Sequence, residues 1–302
     1  MSSSVLDSAP AISLRELDVV SKIRRPAAAP SVARPAPSWW EALLWTLAYV
    51  AMPVIPVMVL GVWLLASGRW DGLGEMPREQ LMVAALASQI LGVCLTVFAL
   101  RVRVGRNWTR AIGLRRPPLV PCLLAALCVP ALLLVGVGVE TGMTQLTGVQ
   151  EPAGELVAEG MAHYGLWLCL LVVPVGAAVE EELFCRGFLG HGLVGRYGVL
   201  VGILFTSVIF GAIHMNITQG VWAFVMGCCL HLAYLATRAL WVPMLMHFLN
   251  NLVATLSMAL WPDFDPSWSQ VLMIAVPALA VAIAAAWALY RLRERQPVAL
   301  AV

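Results

Sequence analysis

The chain has 302 residues, of which 61% are hydrophobic and only 12% are charged, and its formal net charge is +2. A soluble globular domain carries about a quarter charged residues, so this composition excludes an ordinary soluble enzyme. Apolar runs near the ~20 residues that cross a bilayer as a helix recur along the sequence, which predicts a polytopic membrane protein. The seven cysteines include no CxxC pair, so we expect neither a disulfide framework nor a thiolate metal site. The sequence has no nucleic-acid motif, and its expected surroundings are a lipid bilayer.

The chain begins with a segment rich in Ser, Ala and Pro, residues 1–38, which predicts a disordered cytoplasmic tail. We interpret residues 39–295 as one membrane-embedded domain. Its apolar segments have the length and composition of transmembrane helices, at about residues 41–66, 80–100, 119–140, 165–190, 197–215, 220–237, 240–261 and 271–290. The predicted fold is therefore all-α, a polytopic membrane helix bundle with about eight transmembrane helices.

Basic residues alternate with these segments along the chain. Five precede the first segment, six lie between the second and third, and three follow the last. Three more lie near the later turns on the same side, whereas Arg69 and Arg78 fall on the opposite side. Because basic loops favour the cytoplasm, the pattern predicts a multi-pass protein with both termini cytoplasmic.

The fourth segment contains three consecutive carboxylates, which cost several kcal/mol in a membrane unless they are paired or face a cavity. Glu182 and Arg186 are four residues apart with the acid first, the better orientation for an ion pair on a helix. Glu181 points about 100° away from Glu182 and is free to face another element. Glu180 lies a further step round, where it could reach solvent, lipid headgroups or another helix.

Polar residues also lie inside the fifth and seventh segments. If the fourth and fifth segments form a hairpin that turns within residues 194–198, Glu181 and His214 lie at similar depth. His247 and Asn251 share one face of the seventh segment, roughly 10–17 Å along it. We therefore expect a carboxylate, two imidazoles and an amide to converge in the membrane.

This set of side chains favours hydrolysis by activated water. A carboxylate can take a proton from water, and histidine and asparagine can donate to a developing oxyanion. Two histidines and one glutamate also form a catalytic zinc ligand set with one open position. A single histidine in a membrane span is more often an interhelical hydrogen-bond donor, the interpretation that we give to His163, His191 and His231.

Four motifs occur in order along the chain: EELFCRG at 181–187, FGAIH at 210–214, FVMG at 224–227 and HFLNN at 247–251. Together they resemble the CPBP family, which comprises CAAX prenyl endoproteases of the Ras-converting type and the Abi proteins of bacteriocin processing and self-immunity. The resemblance covers residues 165–260, about a third of the chain. Cys185 departs from the family pattern, in which an aromatic residue usually precedes the motif arginine.

The resemblance implies a role for each matching residue. Glu181 would be the general base, His214 would assist it, and His247 and Asn251 would stabilise the tetrahedral intermediate. The supporting motif residues would be Glu182 and Arg186. The family has been described both as metalloproteases and as glutamate-based proteases, so a Zn²⁺ ion held by Glu181, His214 and His247 stays an alternative.

The predicted function is an intramembrane endopeptidase that hydrolyses a peptide bond in a membrane-associated protein or peptide. One alternative is a proton-coupled transporter, which inverted repeats with paired broken helices would favour, and we find no such repeats in the sequence. The other is a non-catalytic membrane scaffold or immunity protein. Such a protein would tolerate loss of Glu181 and His247 as long as its helices still packed.

Overall fold

The computed structural model describes residues 36–73, 76–77, 80–115, 119–150, 153–261 and 268–294. Most of the predicted tail, residues 1–35, and the end of the chain lie outside the described residues. The regular elements within the described ranges are all helical, which confirms the all-α prediction. In chain order they are α1 Trp39–Ala51, α2 Val54–Ala66, α3 Leu81–Arg103, α4 Trp108–Ala111, α5 Leu119–Thr147, α6 Ala153–Tyr164, α7 Leu166–Leu170, π1 Leu171–Gly176, α8 Ala177–Glu182, π2 Leu183–Gly190, α9 His191–Tyr197, α10 Val199–Ala212, α11 Ile217–Thr237, α12 Trp241–Leu260 and α13 Trp268–Glu294.

All eight predicted segments are helical, but they differ in how well they match a membrane span. Five stretches of the described chain are long and apolar enough to cross a bilayer: Trp39–Ala66, Leu81–Arg103, Leu119–Thr147, Ile217–Thr237 and Trp241–Leu260. The apolar helices Val199–Ala212 and Val276–Leu289 are shorter. The remaining predicted segment, 165–190, is a helix interrupted by π1 and π2. The molecule is a bundle of apolar helices with both full-length and shorter members.

The first helix is fixed at its start and at its end. Ser38 caps α1, and the Glu41 carboxylate accepts the backbone N–H of Ser38 at 2.7 Å, which completes a capping box. Glu41 also pairs with Arg103 of α3. Near the end of α1, the Tyr49 ring stacks on the Phe184 ring of π2 with centroids 4.1 Å apart. Helix α1 therefore packs against the elements that surround the glutamate triplet.

Residues 166–197 form one helical stretch in which α and π turns alternate. Pro174 lies inside π1, and the Ala177 N–H donates to the Val172 carbonyl five residues earlier, as in a π-helix. All eight residues of π2 are buried. The stretch ends at Gly198, whose positive φ of 87° reverses the chain before α10. This reversal confirms the turn predicted within residues 194–198.

Close backbone contact brings α11 against α10. A Cβ atom added to Gly211 would lie 2.5 Å from the carbonyl oxygen of Gly220, so only glycine allows this approach. Further along α11, a Cβ atom on Gly227 would lie 3.1 Å from side-chain atoms of both Phe210 and Ser207. These glycine positions thus hold the backbone of α11 close against α10.

Candidate active site

The centre of the site is an ion pair that is fully removed from solvent. Arg186 Nη1 lies 2.7 Å from Glu182 Oε1, and both side chains are 0% exposed. Arg186 Nη2 donates to the Gly227 carbonyl at 3.0 Å, and its guanidinium lies over the Phe210 ring, 4.4 Å from the centroid. The predicted pairing of Glu182 with Arg186 is therefore formed, and a carbonyl and an aromatic face complete the surroundings of the arginine.

Glu182 has a second partner that spacing along one helix could not reveal. His247, on α12, places Nδ1 3.0 Å from Glu182 Oε1, the same oxygen that accepts from Arg186. Because a carboxylate accepts, His247 Nδ1 carries the hydrogen, and a neutral ring then has its lone pair on Nε2. Glu182 therefore orients the imidazole through a charge-assisted bond while Arg186 balances the buried charge.

Glu181 lies on the opposite side of the same imidazole ring. Its Oε2 is 4.0 Å from His247 Nε2, and its side chain is 18% exposed. This oxygen is buried and has no hydrogen-bond partner within the described part of the chain. The four side chains thus form one relay, Arg186 to Glu182 to His247 to Glu181, and the last oxygen has no hydrogen-bond partner among the described residues.

The second histidine is held by its own helix. His214 Nδ1 lies 2.7 Å from the Phe210 carbonyl, which accepts its hydrogen and leaves Nε2 available. The Phe210 ring contacts the rings of both His214 and His247 edge to face, with centroid distances of 5.2 and 6.0 Å. Among the described residues, His214 forms no ion pair within 4.0 Å of a carboxylate, so it reaches the relay through Phe210 rather than by direct contact with Glu181.

The amide predicted to face the site is bound to the backbone of π1. Asn251 Nδ2 donates to the Val173 carbonyl at 3.2 Å, and Asn251 Oδ1 accepts from Asn250 Nδ2 at 3.2 Å. Asn251 is partly exposed, whereas Asn250 is buried. Asn251 therefore lies on the face of α12 that is directed toward π1, and one of its two N–H groups is already used.

Glu180 packs against another helix, one of the three destinations that the sequence left open. A Cβ atom added to Gly92 of α3 would lie 1.9 Å from Glu180 Oε1, so the carboxylate occupies the space of a missing side chain. The contact is reciprocal, since a Cβ atom on Gly176 would lie 2.0 Å from Gln89 Oε1. Each helix thus places a polar side chain over a glycine of the other.

One known family matches the part of the chain that contains these side chains. Residues 163–253 match the family model described as Type II CAAX prenyl endopeptidase Rce1-like. This segment, called the Rce1-like domain below, is similar to that family. The match confirms the resemblance that the sequence motifs indicated, and it is consistent with a CPBP family protease. No curated protein and no solved structure matches the chain.

The Rce1-like domain holds all the side chains of the relay and the two predicted residues outside it, His214 and Asn251. A membrane-protease family model and five apolar helices of spanning length identify an integral membrane protein. In the described part of the chain, no three His, Cys, Asp or Glu side chains are grouped closely enough to hold a metal ion. Glu181 and His247 approach each other, but His214, the third member of the predicted zinc set, is held on the Phe210 carbonyl.

Outside the relay, one buried histidine of the Rce1-like domain differs from its predicted role. His231 is 0% exposed, and neither ring nitrogen has a hydrogen-bond partner in the structure described. Its ring lies against Gly190, where an added Cβ atom would be 2.7 Å from Cε1. The prediction of an interhelical hydrogen-bond donor is therefore wrong for His231, because no acceptor among the described residues is within reach of its ring.

Two polar residues at the site were given no role from the sequence. Gln89 of α3 donates to the Val172 carbonyl at 2.9 Å, and Asn250 donates to Asn251. An amide in the middle of an otherwise apolar segment was a signal for Gln89, since such groups find partners across helices. Its partner could not be predicted, because the carbonyl belongs to a π turn 83 residues away.

Proposed function

We propose that this protein is an intramembrane endopeptidase that hydrolyses a peptide bond in a membrane-associated protein or peptide. The observation that carries the proposal is the buried relay that ends at the unpartnered Oε2 of Glu181. An ionisable group inside a membrane bundle is costly and marks a functional site. The Rce1-like family model supports the same class of reaction.

In the proposed mechanism, Glu181 takes a proton from a water molecule that attacks the scissile carbonyl. In this mechanism one water bridges Glu181 Oε2 and His247 Nε2, which lie 4.0 Å apart and therefore beyond the distance of a direct hydrogen bond. Glu182 keeps His247 in the tautomer whose Nε2 faces this water. The proton then passes from Glu181 to the leaving amine as the peptide bond breaks.

The negative charge that develops on the carbonyl oxygen needs donors that are already in place. Asn251 has one N–H left after its bond to the Val173 carbonyl and is the proposed donor. His247 would add charge stabilisation once it is protonated. His214, with Nε2 available, would assist the glutamate by binding the water or the substrate from beyond Phe210.

The zinc alternative requires His214, which bonds to the Phe210 carbonyl, to join Glu181 and His247 around one ion. Removal of metal distinguishes the two mechanisms. If a strong chelator leaves the cleavage rate unchanged, the glutamate-based mechanism is supported. If the chelator abolishes cleavage and added Zn²⁺ restores it, the three residues act as ligands.

For the substrate we propose a membrane-anchored peptide whose C-terminal part carries a prenylcysteine, as the name of the matching family indicates. The test uses a quenched fluorescent peptide that ends in farnesylcysteine followed by three residues. The same peptide without the farnesyl group and a single-span peptide in proteoliposomes are the comparison substrates. Preferential cleavage of the first would identify prenylation as the feature recognised.

The decisive variants are two neighbouring acids. Glu181→Gln removes the base and is expected to lower the cleavage rate at least about 100-fold, as loss of a general base does. Glu180→Gln is the matched control, because it removes a carboxylate one residue away that packs on Gly92. We expect Glu180→Gln to retain cleavage. If Glu181→Gln and His247→Ala both cleave as well as the wild type, the protein cleaves by another mechanism.

A further inference from the structure

Two side-chain amides from different helices hold consecutive carbonyls of π1. The Gln89 amide of α3 donates to the Val172 carbonyl at 2.9 Å, and the Asn251 amide of α12 donates to the Val173 carbonyl at 3.2 Å. The Val172 carbonyl also accepts the backbone N–H of Ala177. A carbonyl oxygen has two lone pairs, so it can accept both bonds. The widened turn of π1 is thus tied to α3 on one side and to α12 on the other.

The Asn251 amide has only one orientation that suits both of its neighbours. A backbone carbonyl only accepts hydrogen bonds, so the NH₂ group of Asn251 must face Val173. Its Oδ1 then faces Asn250, whose Nδ2 donates to it. Asn250 is 5% exposed, so this donor is held inside the protein. The rotation of the Asn251 amide is therefore fixed at both ends.

This arrangement leaves one hydrogen of Asn251 in a defined direction. An amide NH₂ group carries two hydrogens, and the Val173 carbonyl takes one of them. The Asn251 side chain is partly exposed, whereas Asn250 behind it is buried. The remaining N–H is available to an acceptor that enters the site, and its direction follows from the two bonds already made.

We propose that Asn250 and Gln89 are positioning residues for Asn251. The inference rests on the proposed function, in which Asn251 donates to the oxyanion. Asn250 fixes the rotation of the Asn251 amide. Gln89 fixes the turn of π1 to which that amide is hydrogen-bonded. In this proposal neither residue touches the substrate. A donor that is held in place before the reaction stabilises a developing charge without reorganisation.

A kinetic double-mutant cycle tests the role of Asn250 on a peptide that the wild type cleaves. Asn250→Leu removes the amide at similar volume and is expected to lower kcat about ten-fold, with KM within two-fold, because the oxyanion donor becomes misplaced. Asn251→Ala removes the donor and lowers kcat about 100-fold. In the Asn251→Ala background, Asn250→Leu should cause no further loss. Thr255→Val, a buried polar residue one turn along α12, is the packing control and should keep the wild-type kcat.

Losses in kcat that multiply in the double variant would overturn the proposal, since they would mean that Asn250 acts independently of Asn251. An unchanged kcat in Asn250→Leu would overturn it as well. A purely structural role for Asn250 would lower kcat in the Asn251→Ala background by the same factor as in the wild type.

The two amides of Gln89 and Asn251 form a clamp on the π1 turn. Backbone hydrogen–deuterium exchange of the purified protein tests this clamp without any substrate. Gln89→Leu and Asn251→Leu are each expected to raise exchange severalfold in peptides covering residues 171–182, because each removes a hydrogen bond to a carbonyl of π1. Ser88→Ala is the control on α3, since its hydroxyl donates to a carbonyl of its own helix. Raised exchange in a protein that cleaves nothing would support the clamp while the proposed function fails. Unchanged exchange in both variants would refute the clamp even in an active protease.

Discussion

Removal of Arg186 should destabilise the protein more than removal of any exposed arginine. Arg186→Met keeps an unbranched apolar stem but leaves the Glu182 carboxylate, which is 0% exposed, with His247 as its remaining partner. Breaking a buried ion pair by removing one member costs about 3–5 kcal/mol, because the other charge stays buried without compensation. The contacts of Arg186 with the Gly227 carbonyl and the Phe210 ring are lost at the same time.

The free energy of unfolding can be measured by reversible SDS titration of the purified protein in detergent. The double variant Glu182→Gln/Arg186→Met removes the uncompensated charge, so we expect it to be more stable than Arg186→Met alone. The control is Arg103→Met, which breaks the ion pair to Glu41. Both side chains of that pair are partly exposed, at 39% and 29%, so its loss should cost about 0–1 kcal/mol.

Two outcomes would refute this reasoning. If Arg186→Met unfolds with the free energy of the wild type, Glu182 is not a buried charge that needs a counterion. If the double variant is less stable than Arg186→Met, the cost arises from lost packing around the guanidinium and not from an unpaired carboxylate.

Two further predictions concern close packing. Gly92→Ala would place a Cβ atom 1.9 Å from Glu180 Oε1 and should lower the free energy of unfolding by about 1–3 kcal/mol. Gly138→Ala in α5 meets nothing within 4 Å and should raise it by about 0.5–1 kcal/mol. Thermal unfolding of the two variants in detergent measures both, and equal melting temperatures would contradict the overlap. His231→Leu removes two buried nitrogens without partners and should stabilise the protein by about 1 kcal/mol in SDS titration, while a loss of stability would mean that His231 has a partner.

Local spacing was enough to predict several features of this protein. The apolar segments determine which parts of the chain are helices in a membrane, because each is long enough to require internal backbone hydrogen bonds there. The pair Glu182 and Arg186 followed from a separation of four residues, which brings two side chains together on one helix face. The reversal at Gly198 followed from a glycine between two apolar runs.

The sequence placed Glu181 and His214 at similar depth, and the structure brings His247 within 4.0 Å of both Glu181 and Glu182. The prediction treated residues 165–190 as an uninterrupted α-helix, with 100° per residue and a constant rise. The structure has two π-helices in this stretch, which change the direction of each later side chain relative to that pattern. The histidine that meets the glutamates is therefore His247 of α12.

The sequence by itself determined that this is an integral membrane helix bundle with a costly cluster of acids, and it indicated the protease family through motifs in order. Only the tertiary structure decided that Glu182 serves both Arg186 and His247, and that Gln89 holds a carbonyl of π1. The physical reason is how far apart the two partners lie along the chain. Neighbours three or four residues apart are fixed by helix geometry, whereas partners 65 or 83 residues apart depend on which glycines let two helices approach.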